Sequence, residues 1–347
     1  MNGKAVALQG GLALVGMAAA YVTWQRQPEL QAGEVFVLDI TKSDLETIRF
    51  DDEEAKSWVE LQRASDDNGS FVALRLSGHE APETKATAPA PEAGKPERVV
   101  RGSDAAKALY ERFAPLRATR ALGVLDAAKL KDLGLAAPKK HITVMTRSGR
   151  RVYDIAPAPL GGTDPYLRDQ ADGRTFVVPR SILSDFQTAG SSLVEHHLHG
   201  FRLEDADRVS MTAGPVKKEY RVARSADGRG VEIASTATPD KADPAARTWH
   251  ERAFGLWPSE SLGKGETPAE GEPQTKLRLD YFARGRSLGW LTIAEVPVPL
   301  VESVSSATAA PKKVFYARSE LTLGWVKLSG DTDTVVADGA KLAGGKL

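Results

Sequence analysis

The 347-residue chain contains no cysteine. This excludes disulfides, thiolate nucleophiles, Cys-ligated zinc and lipid attachment through an N-terminal cysteine. Neither sign of charge is in surplus, with 46 Lys+Arg against 46 Asp+Glu. No basic run is present to track a phosphate backbone, so nucleic acid is not an expected partner. Beyond one N-terminal stretch, no apolar run is long enough to span a bilayer; Gly289 to Leu300 is too short and carries Glu295 and two prolines. The Gly-rich run Gly161-Gly162-Thr163-Asp164-Pro165-Tyr166 lacks the Gly-Lys-Ser/Thr of a phosphate-binding loop and reads as a turn. Ser191, Ser192 and Ser303 sit in no nucleophile elbow. No catalytic, cofactor-binding or metal-ligating residue is assigned, no cofactor is expected, and the chain is not read as an enzyme.

Apolar residues make up 41% of the chain and charged residues 27%, enough to build a buried core. Ala5 to Trp24 carries no charge between Lys4 and Arg26. As a helix it spans about 30 Å, the thickness of a bilayer core. Tyr21 and Trp24 lie at its distal end, where amphipathic rings favour the membrane interface. The Ala18-Ala19-Ala20 run leaves a cleaved signal peptide as the alternative. The expectation is a membrane contact through residues 5–24: a single-pass inner-membrane protein with its bulk periplasmic or extracytoplasmic.

Internal repetition organises the rest. Ala105 to Arg112 matches Ala245 to Arg252, both with helical spacing, behind Ser103 in one and Asp243-Pro244 in the other. Asp44 to Phe50 corresponds to Asp205 to Met211. Each leads into a hairpin, Val59 to Arg63 with the turn Asp66-Asp67-Asn68-Gly69, and Tyr220 to Arg224 with the turn Asp227-Gly228. Downstream, His141 to Met145 and Val152 to Ile155 match Leu279 to Phe282 and Leu288 to Leu291, and Phe176 to Leu183 is set against Val314 to Leu321. A Pro- and Ala-rich linker, 79–97, is expected to be mobile, and Ser259 to Thr275 reads as a polar insert. Ser181 to Gly200 reads as helical, and the tail from Asp338 as frayed. The expected fold class is therefore α+β. An N-terminal transmembrane anchor (1–26) precedes a tandem duplication of a mixed strand-hairpin-helix unit with mainly antiparallel sheets, at 34–200 and 201–347.

Glu195-His196-His197-Leu198-His199 holds ligand types suited to zinc, but neither helical nor strand spacing aligns all of them, and a solvated connecting segment is the better reading. Arg112, Arg180, Arg252 and Arg318 recur at matched positions, as an anion-binding surface or, more simply, as arginines supporting the fold. Trp249, Trp257, Trp290 and Trp325 read as core and hairpin-pair residues rather than a ligand platform.

Three segments carry a family resemblance: Val35 to Ile40 with Leu45 to Phe50; Ala121-Leu122-Gly123 with Lys131 to Leu135; and Tyr166-Leu167-Arg168-Asp169 with Phe176 to Val178. In these the chain resembles a bacterial family of single-span anchored proteins of unknown function, similar to auxiliary proteins encoded beside gliding-motility-type ABC transporters. Trp58 stands where that family usually has a tryptophan in its first hairpin. The resemblance implies an extracytoplasmic scaffold or auxiliary subunit that binds a protein partner in the cell envelope. The alternatives are a polysaccharide- or ligand-binding module using a groove between the copies, with the ligand unspecified, and a metal-dependent hydrolase around His196, His197 and His199.

Overall fold

The structure, a computed structural model, describes residues 33–78, 97–158, 162–225, 230–297 and 313–344. In its first half β1 (Val35–Leu38), β2 (Leu45–Asp52), β3 (Ser57–Asp66), β4 (Gly69–Ser77) and β5 (Arg98–Arg101) lead into helix α1 (Asp104–Arg112). Then come β6 (Leu116–Ala118), β7 (Arg120–Val124), α2 (Ala127–Asp132), β8 (Lys140–Thr146), β9 (Gly149–Ala156), β10 (Tyr166–Asp169), β11 (Arg174–Val177), α3 (Arg180–Gln187) and α4 (Ala189–Ser192). The second half has β12 (Arg208–Ala213), β13 (Val216–Arg224), β14 (Val231–Ser235), α5 (Pro244–Phe254), β15 (Pro258–Ser261), β16 (Gln274–Ala283), β17 (Arg286–Pro297), β18 (Lys313–Ser319), β19 (Val326–Leu328) and α6 (Thr332–Ala343).

Strand accounts for 46% and helix for 19%, in three antiparallel sheets, which corrects the expected α+β class to a mainly β fold. The helices are few and short, and each sheet needs only two main ones to cover its apolar face. Among the described residues no helix is long and apolar enough to cross a membrane. The anchor expected at 5–24 lies outside the described residues, and the expected single-pass inner-membrane placement is withdrawn. The linker 79–97 also lies outside them, except Glu97, whose carboxylate pairs with Arg75 at 2.7 Å. The Asp227-Gly228 turn lies outside them too.

The first large sheet runs β5-β4-β3-β2-β8-β9-β10-β11-β7, and the second runs β14-β13-β12-β16-β17-β18-β19-β15. Apart from β5, the two orders correspond strand for strand. In the middle of each, Ile48 pairs with Val144 and Val209 with Tyr281. Three sequence matches shift. The cross-strand pairs make Leu61, two residues on from Val59, the counterpart of Tyr220, and Tyr153, two residues before Ile155, the counterpart of Leu291. The order makes β10 the counterpart of β18, so Tyr166-Leu167-Arg168-Asp169 corresponds to Tyr316-Ala317-Arg318-Ser319. Arg318 is thus the counterpart of Arg168 and not of Arg180. A third, two-stranded sheet (β1 with β6) belongs, among the described residues, to the first half alone.

Period-two alternation gives each large sheet one apolar face. In the first, Ile48, Phe50, Val59, Leu61, Val144 and Ile155 pack under Leu109 and Tyr110 of α1 and Ile182 and Phe186 of α3. In the second, Val209, Met211, Tyr220, Leu279 and Ile293 pack under Trp249 of α5 and Val335 and Leu342 of α6. Asp243 caps α5 by accepting from Ala246 N, with Pro244 at the first turn. The last turn of α6 is buried rather than frayed, because Leu342 and Ala343 close the second core. The helix in the stretch expected to be helical to Gly200 ends at Ser192, and the chain continues without regular secondary structure. The insert after β15 is not merely polar: Leu262 packs with Val296 and Tyr316, and Glu270 accepts from Tyr316 Oη (2.6 Å) and Lys327 Nζ (2.7 Å).

The sheets meet at β5, the strand without a counterpart. Lys264 N donates to Val99 O at 2.8 Å, and Arg98 pairs with Glu266 at 3.2 Å and Glu260 at 3.7 Å. The four matched arginines divide. Arg112 donates to Ser181 (3.0 Å) and Asp185 (3.2 Å), clamping α1 to α3; Arg252 does the same from α5 to Asp331 (2.8 Å), with Asp338 at 3.6 Å. Arg318 lies over the Trp325 ring at 4.4 Å, and Arg180 is exposed at the start of α3. They form no common anion surface.

Gly339 of α6 faces Trp249, whose Nε1 donates to Val335 O at 2.8 Å; a Cβ at position 339 would lie 2.6 Å from the indole. Glycine to alanine in a helix ordinarily gains about 1 kcal/mol, but overpacking costs about 1–3 kcal/mol. Gly339→Ala is therefore expected to lower the urea midpoint of unfolding, against the trend of helix propensity.

Candidate functional site

The described chemistry concentrates where the chain passes from one sheet to the other. Leaving α4, it is fastened to the first half by Ser103 N donating to Leu193 O (2.8 Å) and Glu195 N to Arg101 O (2.9 Å). It then runs from Glu195 to Gly200 without regular secondary structure, bending at Leu198 and Gly200, so successive side chains leave in different directions. Glu195 Oε1 accepts from both His197 N and His197 Nδ1 at 2.8 Å. His196 Nε2 lies 2.9 Å from Ser191 O, and Leu198 enters the second core. His199 turns into the second half, its side chain 2% exposed, with Nδ1 3.1 Å from Glu320 Oε1. The three imidazoles thus go to three places, and among the described residues no three His, Asp or Glu side chains converge as metal ligands.

Glu320 organises this passage. Its carboxylate, 4% exposed, accepts from His199 Nδ1, Gly200 N (3.2 Å) and Trp290 N (2.9 Å). Its backbone carbonyl accepts from Asn68 Nδ2 of the first hairpin at 3.2 Å. Three donors on one carboxylate offset the cost of burying it. The approach requires glycine at 289, where a Cβ would lie 2.5 Å from the Glu320 carboxyl carbon. Phe254 stacks on the His199 ring at 4.4 Å, and Tyr281 meets it edge-on at 5.1 Å. Burial, reinforced by the Glu320 charge, pushes the Tyr281 hydroxyl well above the usual phenol range. His199 Nε2 and the Tyr281 hydroxyl are buried without a hydrogen-bond partner.

The tryptophans expected in the core separate. Trp249 is buried, Trp290 and Trp325 lie half-buried under Arg278 and Arg318, and Trp257 is 51% exposed. The Trp257 indole lies nearly parallel to His196 (6.2 Å between centroids) and edge-on to His197 (5.3 Å). Beside it, a cleft of about 400 Å³ between the halves is lined by Phe71, Arg101, Ser103, Lys107, His197 and His199, among others. A second recess of about 490 Å³ opens in the first half beneath β1, lined by Arg150, Arg151 and Arg174. There Arg151 holds the buried Asp169 at 2.7 Å. Neither the exposure of Trp257 nor these recesses is signalled by local sequence, since each depends on segments far apart in the chain.

One further buried imidazole has no role at the junction. His250 of α5 occupies the position of Tyr110 in α1, but Tyr110 donates to Leu45 O at 2.7 Å while neither His250 nitrogen has a partner. Burial pushes the His250 imidazole down from 6.5 to about 3. Between those values the unfolded chain binds the proton and the folded chain does not, so stability rises with pH. The contribution is complete above the unfolded value and is lost on acidification towards about 3. His250→Phe is expected to flatten the fall in stability between pH 7 and pH 4 by about 2–4 kcal/mol, read as the difference in urea unfolding between the two proteins.

Removing the Glu320 carboxylate is expected to cost about 3–5 kcal/mol, because three buried donors lose their acceptor. Gly289→Ala is expected to be damaging alone and less so in a Glu320→Ala background, where only the Phe201 ring, 2.7 Å from the added Cβ, still has to give way. A double-mutant cycle in urea should return a coupling above about 1 kcal/mol.

No protein-family model matches the chain, and no curated protein and no solved structure is detectably similar to it.

Proposed function

We propose that the chain is a non-catalytic scaffold that binds a partner protein, with Trp257 as the anchor of the contact. The carrying observation is an indole 51% exposed at the junction of the two halves and held in place by His196 and His197. An exposed tryptophan loses its hydration at little conformational cost, which is why this residue dominates interface energetics. The resemblance drawn from the sequence directs the search for the partner to components of an ABC-type export complex. A second reading, a ligand-binding module, has its own observation in the cleft of about 400 Å³ beside Trp257.

A photo-crosslinking amino acid in place of Trp257, in cells making the full chain, is expected to give a discrete adduct with one other protein. The same group at the exposed Val216, on the second sheet, should not. Identical adduct patterns from both positions, or none from position 257, would sink the scaffold reading. Trp257→Ala is expected to weaken capture of the identified partner at least tenfold while leaving the unfolding midpoint within about 0.5 kcal/mol.

A further inference from the structure

We infer that the outer face of the second sheet, turned away from α5 and α6, carries a receptor site for one carboxylate of a partner protein, with Arg318 as the residue that receives it. This rests on the scaffold reading and names the chemistry that the partner presents.

Ala317 of β18 packs in the second core, so Arg318 leaves the strand on the opposite face. There it is half-buried. Its Nε is enclosed without a hydrogen-bond partner, while its terminal nitrogens stay open to solvent. The Trp325 ring lies 4.4 Å from the guanidinium carbon, and no carboxylate among the described residues pairs with it. Burial lowers the guanidinium from its usual value, with no nearby acid to raise it. A guanidinium drawn out of water without an acceptor is destabilising, and an indole face offsets only part of that cost. The surrounding acids are already engaged: Asp280 by Arg278 at 2.8 Å, Glu270 by Lys327 at 2.7 Å, and Glu295 by Lys276 and Lys313 at 3.8 Å. Glu320, two residues on in the chain, is turned to His199, Gly200 and Trp290.

The first half shows what is missing. Arg168, the counterpart of Arg318, has Asp154 directly across on β9, whereas Arg318 has Thr292 across on β17. Because Tyr153 and Leu291 are counterparts, Thr292 stands where the first half has Asp154. Its hydroxyl accepts from Arg278 at 3.4 Å and brings no charge to Arg318. The second sheet thus keeps the arginine and lacks the acid, which the partner supplies. One free cation suits one carboxylate, whereas a polyanion needs a row of them. Trp325, packed on Val296 and Tyr316, gives the site an apolar side that suits a hydrophobic neighbour of that acid. The site also lies near the Trp257 anchor. Trp325 immediately precedes β19, and Ser329, immediately after it, donates to Trp257 O at 3.3 Å. The three residues of β19 span about 10 Å, well inside one standard protein interface.

The test uses the full chain, isotope-labelled in its tryptophan indoles and read by NMR, with the Trp325 signal identified through Trp325→Phe. The probes are acetyl-Leu-Glu-Leu-amide, its glutamine analogue and a galacturonate trimer, against sodium chloride at matched ionic strength. The glutamate peptide is expected to shift the Trp325 signal saturably at millimolar concentration, with the glutamine peptide about tenfold weaker. Arg318→Met exchanges the unpaired charge for an apolar stem. It is expected to abolish that response and to leave the urea midpoint of the free chain unchanged or raised. Thr292→Asp installs the acid that the first half carries, and is expected to raise the midpoint and to abolish the response. No saturable shift by the glutamate peptide, equal binding of the two peptides, or a response that survives Arg318→Met would overturn the site. A lower midpoint in both variants would show that Arg318 supports the fold, and would overturn it too. Tighter binding of the galacturonate trimer would put a polysaccharide on this face and overturn the partner class. None of these readouts needs an adduct from position 257, so their failure leaves the scaffold reading standing, and a missing adduct beside saturable, Arg318-dependent peptide binding sinks that reading while supporting the carboxylate site.

Discussion

The junction of the two halves depends on one buried carboxylate. Glu320 sits at the end of β18 where water is excluded, and it persists there because three donors from two segments converge on it. The same residue accepts a side-chain bond from Asn68 through its carbonyl, so the first hairpin is tied to the point where the connecting chain enters the second core. The path of residues 195–200 follows from this. With His199 drawn inwards, His196 and His197 are left on the outer side, against Trp257, and the cleft forms between that path and α1.

Much of the sheet architecture is legible in the sequence. Asn68-Gly69 marks the β3–β4 hairpin, and the alignment of Ile48 with Val209 and of Val144 with Tyr281 reproduces the cross-strand pairs at the centre of both sheets. The error at Phe176 to Leu183 has a local cause: β10 and β11 are four residues each, too short for alternation to separate a strand from the approach to a helix. The balance of strand to helix is obscured in the sequence for a related reason. Helix starts such as Asp243-Pro244 are loud signals, whereas an edge strand such as β7 announces itself weakly. The junction was not legible at all. The partners of His196, His197 and His199 lie at residues 191, 195 and 320, and the spacing of the histidines carries no information about a carboxylate more than a hundred residues away.

The halves share a strand order but not a set of interactions. Where α1 turns a tyrosine hydroxyl to the carbonyl of Leu45, α5 buries an imidazole against the rings of Tyr220 and Trp249. The first half alone has the β1–β6 pair and the recess lined by Arg150, Arg151 and Arg174. Among the described residues it alone has a full strand at β5, where the second half has only the single Ala234–Ala242 bridge, and that strand joins the halves, with Arg98 and Val99 meeting the segment after β15. The shared strand order thus carries similar apolar layers, while the differences fall at the edges and at the crossing between the sheets.

The matched strand order also bears on how the chain reaches this state. In each sheet the central pair joins strands far apart in sequence, β2 with β8 and β12 with β16, so joining the local hairpins into one sheet needs a slow, non-local closure. During synthesis β2 is exposed long before its partner emerges, and the later β16 offers an alternating apolar face (Leu277, Leu279 and Tyr281) of the same kind as Ile142 and Val144 of β8. Two similar templates on one nascent chain compete for the same partners, and a swapped register would join the halves through the wrong sheet. The departures between the halves, β5 and the β1–β6 pair among them, give the first sheet pairings that the strands of the second do not offer.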